Sequence, residues 1–359
     1  MDRAMEMPMT STCATREMAI RIGNYLVGDG QPPMVVAEVG INHNGDVNLA
    51  KLMVKTAKAA GAHCIKFQTH ITAKEMIPTT MTPGRISAEP LWNIIQRCEL
   101  TEDDEREVKW LCDESGILFL STPLSREAAD RLEALDVPAY QIGSGEITNL
   151  PLITHVAKKG KPMIVSTGMT ELAEVAETVE LIKSYGVPLI LLQCTSTYPT
   201  AYKDVKLGAI PLLQQRFGVP VGLSDHSMGI YTALGAVAKG ACMLEKHFTI
   251  SRSWPGPDQG LSIEPQELRD LVQGAEAIYQ ALGADKTIIE QERPVIGFAR
   301  ASVVVVKPIK AGERLTEDNI WVKRPADGEI PAKDYQKVVG KVANVAMAPD
   351  HQLKLSDIQ

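Results

Sequence analysis

The feature that most restricts this chain is a series of eight short apolar runs, at 34–38, 64–68, 118–122, 139–142, 163–166, 189–194, 221–224 and 241–247. Stretches with helical apolar spacing lie between them, such as 48–60, 125–135 and 172–185. Eight strand–helix repeats in roughly 250 residues are the arithmetic of a closed (β/α)8 TIM barrel, in the α/β class. A doubly wound open sheet is the competitor. It opens on a glycine-rich dinucleotide loop, and no G-x-G-x-x-G follows the first run.

The barrel domain is expected over 18–285, entered through a hairpin around Gly23-Asn24, with 1–17 as a flexible tail. One interval is out of pattern. The excess after the second run covers 70–100, with Pro78, Pro83, Gly84 and Pro90, where a barrel puts a substrate-covering loop. A linker at 286–300 carries Pro294 and Gly297, and a strand-rich module follows over 301–359. That module is near the lower size limit for independent stability.

Composition excludes several classes of function. A net charge of -7 argues against a nucleic-acid or anionic-membrane surface. No run approaches the length of a transmembrane helix, and 1–17 lacks the apolar core of a secretory signal. The six cysteines are scattered with no Cys-x-x-Cys pair, which reads as free thiols in a reducing cytoplasm.

The runs end in polar and ionisable residues: Glu38, Lys66, Gln68, Thr122, Ser144, Ser166, Ser196, Ser224, His226 and His247. In a barrel these converge on the C-terminal mouth, where such folds put their chemistry. His226 and His247 end the last two runs, so they project side by side with Ser224, Asp225 and Glu245 nearby. That suits a divalent ion with open coordination positions. The alternative is one buried, hydrogen-bonded histidine and one helix cap. Ile142-Gly143-Ser144-Gly145-Glu146, Ser166-Thr167-Gly168-Met169 and Thr195-Ser196-Thr197 place hydroxyls after strands. With Lys66 as point charge they fit a small phosphorylated acid. Lys66 as a Schiff-base nucleophile would need a depressed pKa, which Glu38 and a phosphate nearby oppose.

Ala37-Glu38-Val39-Gly40-Ile41-Asn42-His43-Asn44-Gly45, Ile65-Lys66-Phe67-Gln68-Thr69-His70 and Gly222-Leu223-Ser224-Asp225-His226 resemble the sialic acid synthase family. So do Leu244-Glu245-Lys246-His247-Phe248-Thr249 and Pro255-Gly256-Pro257-Asp258, and Trp321-Val322-Lys323-Arg324-Pro325 resembles the family's antifreeze-like (SAF, β-clip) tail. The resemblance implies a transferase that condenses phosphoenolpyruvate with an N-acylated hexosamine such as N-acetylmannosamine, giving N-acetylneuraminate and phosphate. It implies Mn2+, or another divalent ion such as Mg2+ or Co2+, held by His226 and His247. Glu38 is then the group that positions or deprotonates water, and Asp258 binds a sugar hydroxyl or metal-bound water. Lys66, Thr122, Ser144, Ser166, Ser196 and Ser224 hold phosphoenolpyruvate, with Glu146 also at the substrate site. Gln68 and Tyr198 line the sugar site. Phe298 and Arg324 reach the sugar bound in the partner subunit of a domain-swapped homodimer.

One position departs from the family pattern. Gln141 stands where relatives have a lysine that contacts phosphoenolpyruvate, so Lys66 is expected to neutralise more of the anion. Two other readings are carried forward. The same reaction on a 2,4-diacetamido-6-deoxy hexose gives a legionaminic-type acid, and a catalytically silent chain would bind acidic sugars through its tail.

Overall fold

The computed structural model describes residues 18–84 and 87–359, so the tail expected at 1–17 lies outside the described residues. The hairpin is present as β1 (Ala19–Ile22) and β2 (Tyr25–Gly28), paired antiparallel. Gly23 makes its turn at a φ of 55°, which costs glycine little. Eight parallel strands follow: β3 (Met34–Gly40), β4 (Cys64–Thr69), β5 (Leu118–Pro123), β6 (Tyr140–Ile142), β7 (Met163–Ser166), β8 (Leu189–Cys194), β9 (Val221–Asp225) and β10 (Met243–His247). Their hydrogen-bonded order runs β5-β4-β3-β10-β9-β8-β7-β6, and the two end strands, β5 and β6, pack side by side. This is the expected (β/α)8 barrel, with the last strand paired to the first.

Helix α1 (Val47–Ala60) follows β3. The Asp46 carboxylate caps it by accepting from the N–H groups of Asn48 and Leu49, and Gly61 ends it in the left-handed region. The long connection after β4 is more structured than a covering loop. It holds α2 (Thr72–Glu75) and α3 (Leu91–Cys98) ahead of α4 (Glu102–Ser115). Ile94, Ile95 and Cys98 bury themselves against Ile41, giving the insertion a small core of its own. Helices α5 (Arg126–Ala134), α6 (Leu150–Ala157), α7 (Leu172–Ser184), α8 (Ala209–Phe217), α9 (Tyr231–Val237) and α10 (Pro265–Gln280) each follow one of β5 to β10.

Strand alternation divides the apolar side chains between two cores. Val35, Ala37, Ile65, Phe67, Leu191 and Leu244 face the helices. Met34, Val36, Cys64, Leu120, Ile164 and Leu192 fill the lower barrel interior together with Ile22 and Val27 from the hairpin. The hairpin therefore plugs the bottom. Above this apolar storey the inward positions turn polar, with Glu38, Lys66, Thr122, Gln141, Ser166, Ser224, Glu245 and His247 all buried.

The chain divides into two compact units, the second spanning Gly283–Gln359. Part of the stretch expected as linker is helical: α11 (Arg293–Ala299) places Pro294 in its first turn, where no N–H is needed. β11 (Ser302–Val305) and β12 (Ile320–Lys323) pair antiparallel, and the short helix α12 (Tyr335–Val338) follows them. Val303, Val305, Ile309, Leu315, Ile320 and Leu353 form its core. Among the described residues no helix is long and apolar enough to cross a membrane.

Candidate active site

The polar storey opens into a cavity of about 190 Å³ lined by Glu38, Lys66, Gln68, Thr122, Gln141, Ser144, Ser166, Ser196, Tyr198, Ser224, His226 and His247. Cys194 and Glu245 also line it. A larger cavity of about 740 Å³ lies around Gly28, Val237, Cys242 and Leu282, but it lacks any comparable cluster of ionisable groups. Convergent chemistry marks the smaller one.

Lys66 is its electrostatic centre. Its Nζ lies 2.6 Å from Glu38 Oε2, 3.6 Å from Glu245 Oε2 and 3.2 Å from Thr122 Oγ1. Burial opposes the charged amine, but the Glu245 and Glu38 carboxylates outweigh it and raise the Lys66 pKa. A protonated amine is a poor Schiff-base nucleophile, so the geometry favours the anion-binding role. Burial pushes Glu38 up to about 8, even though Lys66 pulls it down. The neighbouring Glu245 carboxylate, which shares the same cation, adds to that rise.

Glu245, read from sequence as near the ion, lies two residues before His247 and shares its inward face, but it is engaged with Lys66 and two hydrogen-bond donors. Its carboxylate accepts from Ser224 Oγ at 2.8 Å and from Gln141 Nε2 at 2.7 Å. Both donors were expected to serve the anion, and here both are committed to Glu245. Ser144 and Ser196 converge instead around Gly168, whose N–H donates to Ser144 Oγ at 3.0 Å. A Cβ at Gly168 would collide with both hydroxyls, so only glycine permits this close approach.

The two imidazoles lie together, ring centroids 5.3 Å apart, with Tyr198 4.4 Å from His226. Burial and then the charges of His226 and Lys66 hold His247 well below the usual histidine range, so its ring is neutral. His247 Nδ1 is buried with no hydrogen-bond partner among the described residues. His226 Nδ1 lies 3.1 Å from the Thr195 carbonyl oxygen, which fixes the proton there and frees Nε2. Such rings fit a divalent ion chemically. No cluster of three or more His, Cys, Asp or Glu suited to a metal occurs among the described residues.

Asp225, read from sequence as near the ion, faces the other way. Its carboxylate is 3.1 Å from Lys246 Nζ and accepts from Thr232 Oγ1 at 2.6 Å. This buried pair ties β9 to β10 behind the two histidines. Asp258 is half-buried on the loop after β10, and desolvation pushes its carboxyl up to about 6. It does not line the cavity, but its charge is felt at Glu38 and Tyr198. Glu146, expected at the substrate site, turns away. The chain leaves strand geometry after Ile142, and the Glu146 carboxylate accepts from Asn149 Nδ2 and lines a neighbouring polar groove. Phe298 and Arg324 lie in the second unit, both exposed. Arg324 borders a groove there with Lys323, Asp350 and Gln352.

A barrel with a lysine clamped between carboxylates, a hydroxyl cradle and two open imidazoles at its mouth has the layout of an enzyme acting on a small anion. The chain belongs to the NeuB family: residues 53–287 match that family and residues 300–359 match the SAF domain. It is 38% identical over 331 residues to the N,N'-diacetyllegionaminic acid synthase of Campylobacter jejuni, covering 89% of this chain and 98% of that one. It is 34% identical over 347 residues to a pseudaminic acid synthase of the same species, covering 95% and 100%. The N-acetylneuraminic acid synthetase structure from Leptospira borgpetersenii superposes with a TM-score of 0.71 at 34% identity, covering 78% of this chain and 95% of that one.

Proposed function

We propose that this chain is a phosphoenolpyruvate-dependent sialic acid synthase, joining phosphoenolpyruvate, N-acetylmannosamine and water into N-acetylneuraminate with release of phosphate. The observation that carries the reading is the single cavity holding protonated Lys66, the serine cradle and two neutral-capable imidazoles. Lys66 neutralises the bound anion, while Thr122, Ser144, Ser166 and Ser196 donate to its oxygens. The enol carbon C3 bonds to C1 of the open-chain sugar as the C1=O π pair moves onto oxygen, which takes up a proton, leaving C2 electron-poor. Water adds at C2 as Glu38 takes its proton, and the C2–O bond to phosphate then breaks. A carboxyl held at about 8 is poised for that transfer near neutral pH. His226 and His247 would hold the divalent ion, Mn2+ or alternatively Mg2+ or Co2+, which when bound supplies Lewis acidity at the sugar aldehyde. Gln68, Tyr198 and Asp258 bind sugar hydroxyls.

In this reading Arg324 and Phe298 complete the sugar site of the partner subunit in a domain-swapped homodimer. The reaction belongs in the cytoplasm, where the five free cysteines described stay reduced. The test is phosphate release from phosphoenolpyruvate with Mn2+ and each sugar in turn. Turnover with N-acetylmannosamine supports the proposal. Turnover with only a 2,4-diacetamido-6-deoxy hexose moves the assignment to the legionaminic type, and none with any sugar overturns it.

A further inference from the structure

Gln68 reaches Glu38 with its amide, Nε2 to Oε1 at 3.3 Å. An amide has two ends, and the wrong end would set an oxygen against a carboxylate. What decides the orientation lies behind it. Gln68 Oε1 is 3.1 Å from His70 Nε2, and His70 Nδ1 lies 2.9 and 3.0 Å from the two oxygens of Glu75, so both ring nitrogens face acceptors and each donates its N–H. The side chains of His70 and Glu75 are each only 5% exposed, so water cannot substitute for these bonds. Glu75 closes α2, and α2 is pinned at its other end. Thr72 donates to Glu99 Oε2 from its N–H at 2.9 Å and its hydroxyl at 2.7 Å. The insertion after β4 thus connects to the catalytic carboxyl through a continuous hydrogen-bonded row, Glu75 to His70 to Gln68 to Glu38.

We infer that His70 and Glu75 are positioning residues, which lock the Gln68 amide with its N–H toward Glu38 and its oxygen toward the His70 ring. Resting on the synthase reading for its kinetic consequences, this assigns the β4 insertion a part in aligning Glu38. Removing the ring frees the amide to turn its oxygen toward Glu38 and misplaces the proton acceptor, at a cost of roughly 10- to 100-fold in kcat. The KM for phosphoenolpyruvate and the affinity for Mn2+ stay near wild type, because the residues proposed to hold them, Lys66, the serines and the two histidines, are not members of the row.

The test is a double-mutant cycle of His70→Phe with Gln68→Ala, read in kcat, beside NMR of the Gln68 side-chain amide. If His70 acts through Gln68, His70→Phe costs kcat in the wild-type background and almost nothing in Gln68→Ala. Losses that multiply, or a phosphoenolpyruvate KM that moves as much as kcat, would overturn the inference. The amide reading needs no turnover. In wild type the Gln68 amide protons give a distinct pair protected from exchange, and in His70→Phe that protection is lost. An unchanged pair overturns the inference even if the chain is inactive on every sugar, whereas an inactive wild type with the expected loss of protection condemns only the synthase reading. Where His70→Phe fails to fold, Glu75→Ala removes the support of the ring and carries the same cycle and the same spectrum.

Discussion

Lys66 Nζ and Glu38 Oε2 meet at 2.6 Å with side chains only 4% and 3% exposed. Glu245 stands on the other side of the same amine. Lys66→Met would therefore strand two carboxylates in a dry site, at about 3–5 kcal/mol of stability. Adding Glu38→Gln should restore about half of that loss. Urea unfolding of the two single variants and the double variant measures it, and an additive double variant would contradict the pairing.

The same carboxyl gives a pH signature in metal-free protein. Folded Glu38 titrates at about 8, above its ordinary 4.5. The folded state then holds the extra proton between those values, so this group's contribution to stability declines as pH rises through that window. Glu38→Gln should flatten the decline while abolishing turnover. Parallel stability–pH curves for the two proteins would refute the assignment.

Gln141 donates to Glu245, and its own Oε1 is buried without a partner among the described residues. Gln141→Lys would pair with Glu245 and leave Lys66 freer to face an anion. The KM for phosphoenolpyruvate should fall about fivefold, close to 1 kcal/mol, with kcat little changed. An unchanged KM would show that Gln141 plays no part in anion binding.

His226→Ala and His247→Ala should each abolish turnover and Mn2+ binding while retaining native circular dichroism. The His247 ring makes no hydrogen bond through Nδ1 among the described residues, and the Lys246–Asp225 pair holds β9 to β10 independently. Electron paramagnetic resonance of added Mn2+ reads the binding directly. Near-normal Mn2+ affinity in either variant would remove that histidine from the site.

Acid stability should depend on His43. Burial, and then the charge of His70, hold its imidazole down at about 4, while Nδ1 accepts the Gly45 N–H at 3.1 Å. The unfolded chain takes up a proton near 6.5 that the folded ring refuses. Stability is thus fully present above that pH and is lost as pH falls toward 4, by about 3 kcal/mol. Asn at this position can accept the same N–H without titrating. Equal slopes for wild type and His43→Asn between pH 6.5 and 4 would rule this out.

Much of this architecture is legible in the chain because the barrel repeats one simple rule. All eight runs became strands, and the step of two that aims His247 inward also aims Glu245 inward and Lys246 outward. The same parity separates Ser224 from Asp225. Parity fails where strand geometry ends, which is why Glu146 departs from the site just after β6. Long-range pairings left no local signal. Gln141 meets Glu245 across the barrel, 104 residues along the chain, and nothing near either residue announces it. The insertion hid its order for another reason: α2 is four residues long, too short for its apolar spacing to declare a helix.

The apolar lower storey and polar upper storey of the barrel make damage to this protein sort into two kinds. A substitution among Met34, Leu120, Ile164 or Leu192, sealed below by Ile22 and Val27, would remove the protein from the cell by unfolding it. A substitution among the residues above would leave an abundant, well-folded and inert chain. In the proposed homodimer that chain could still pair with a normal copy, so upper-storey lesions would then be the ones that act dominantly.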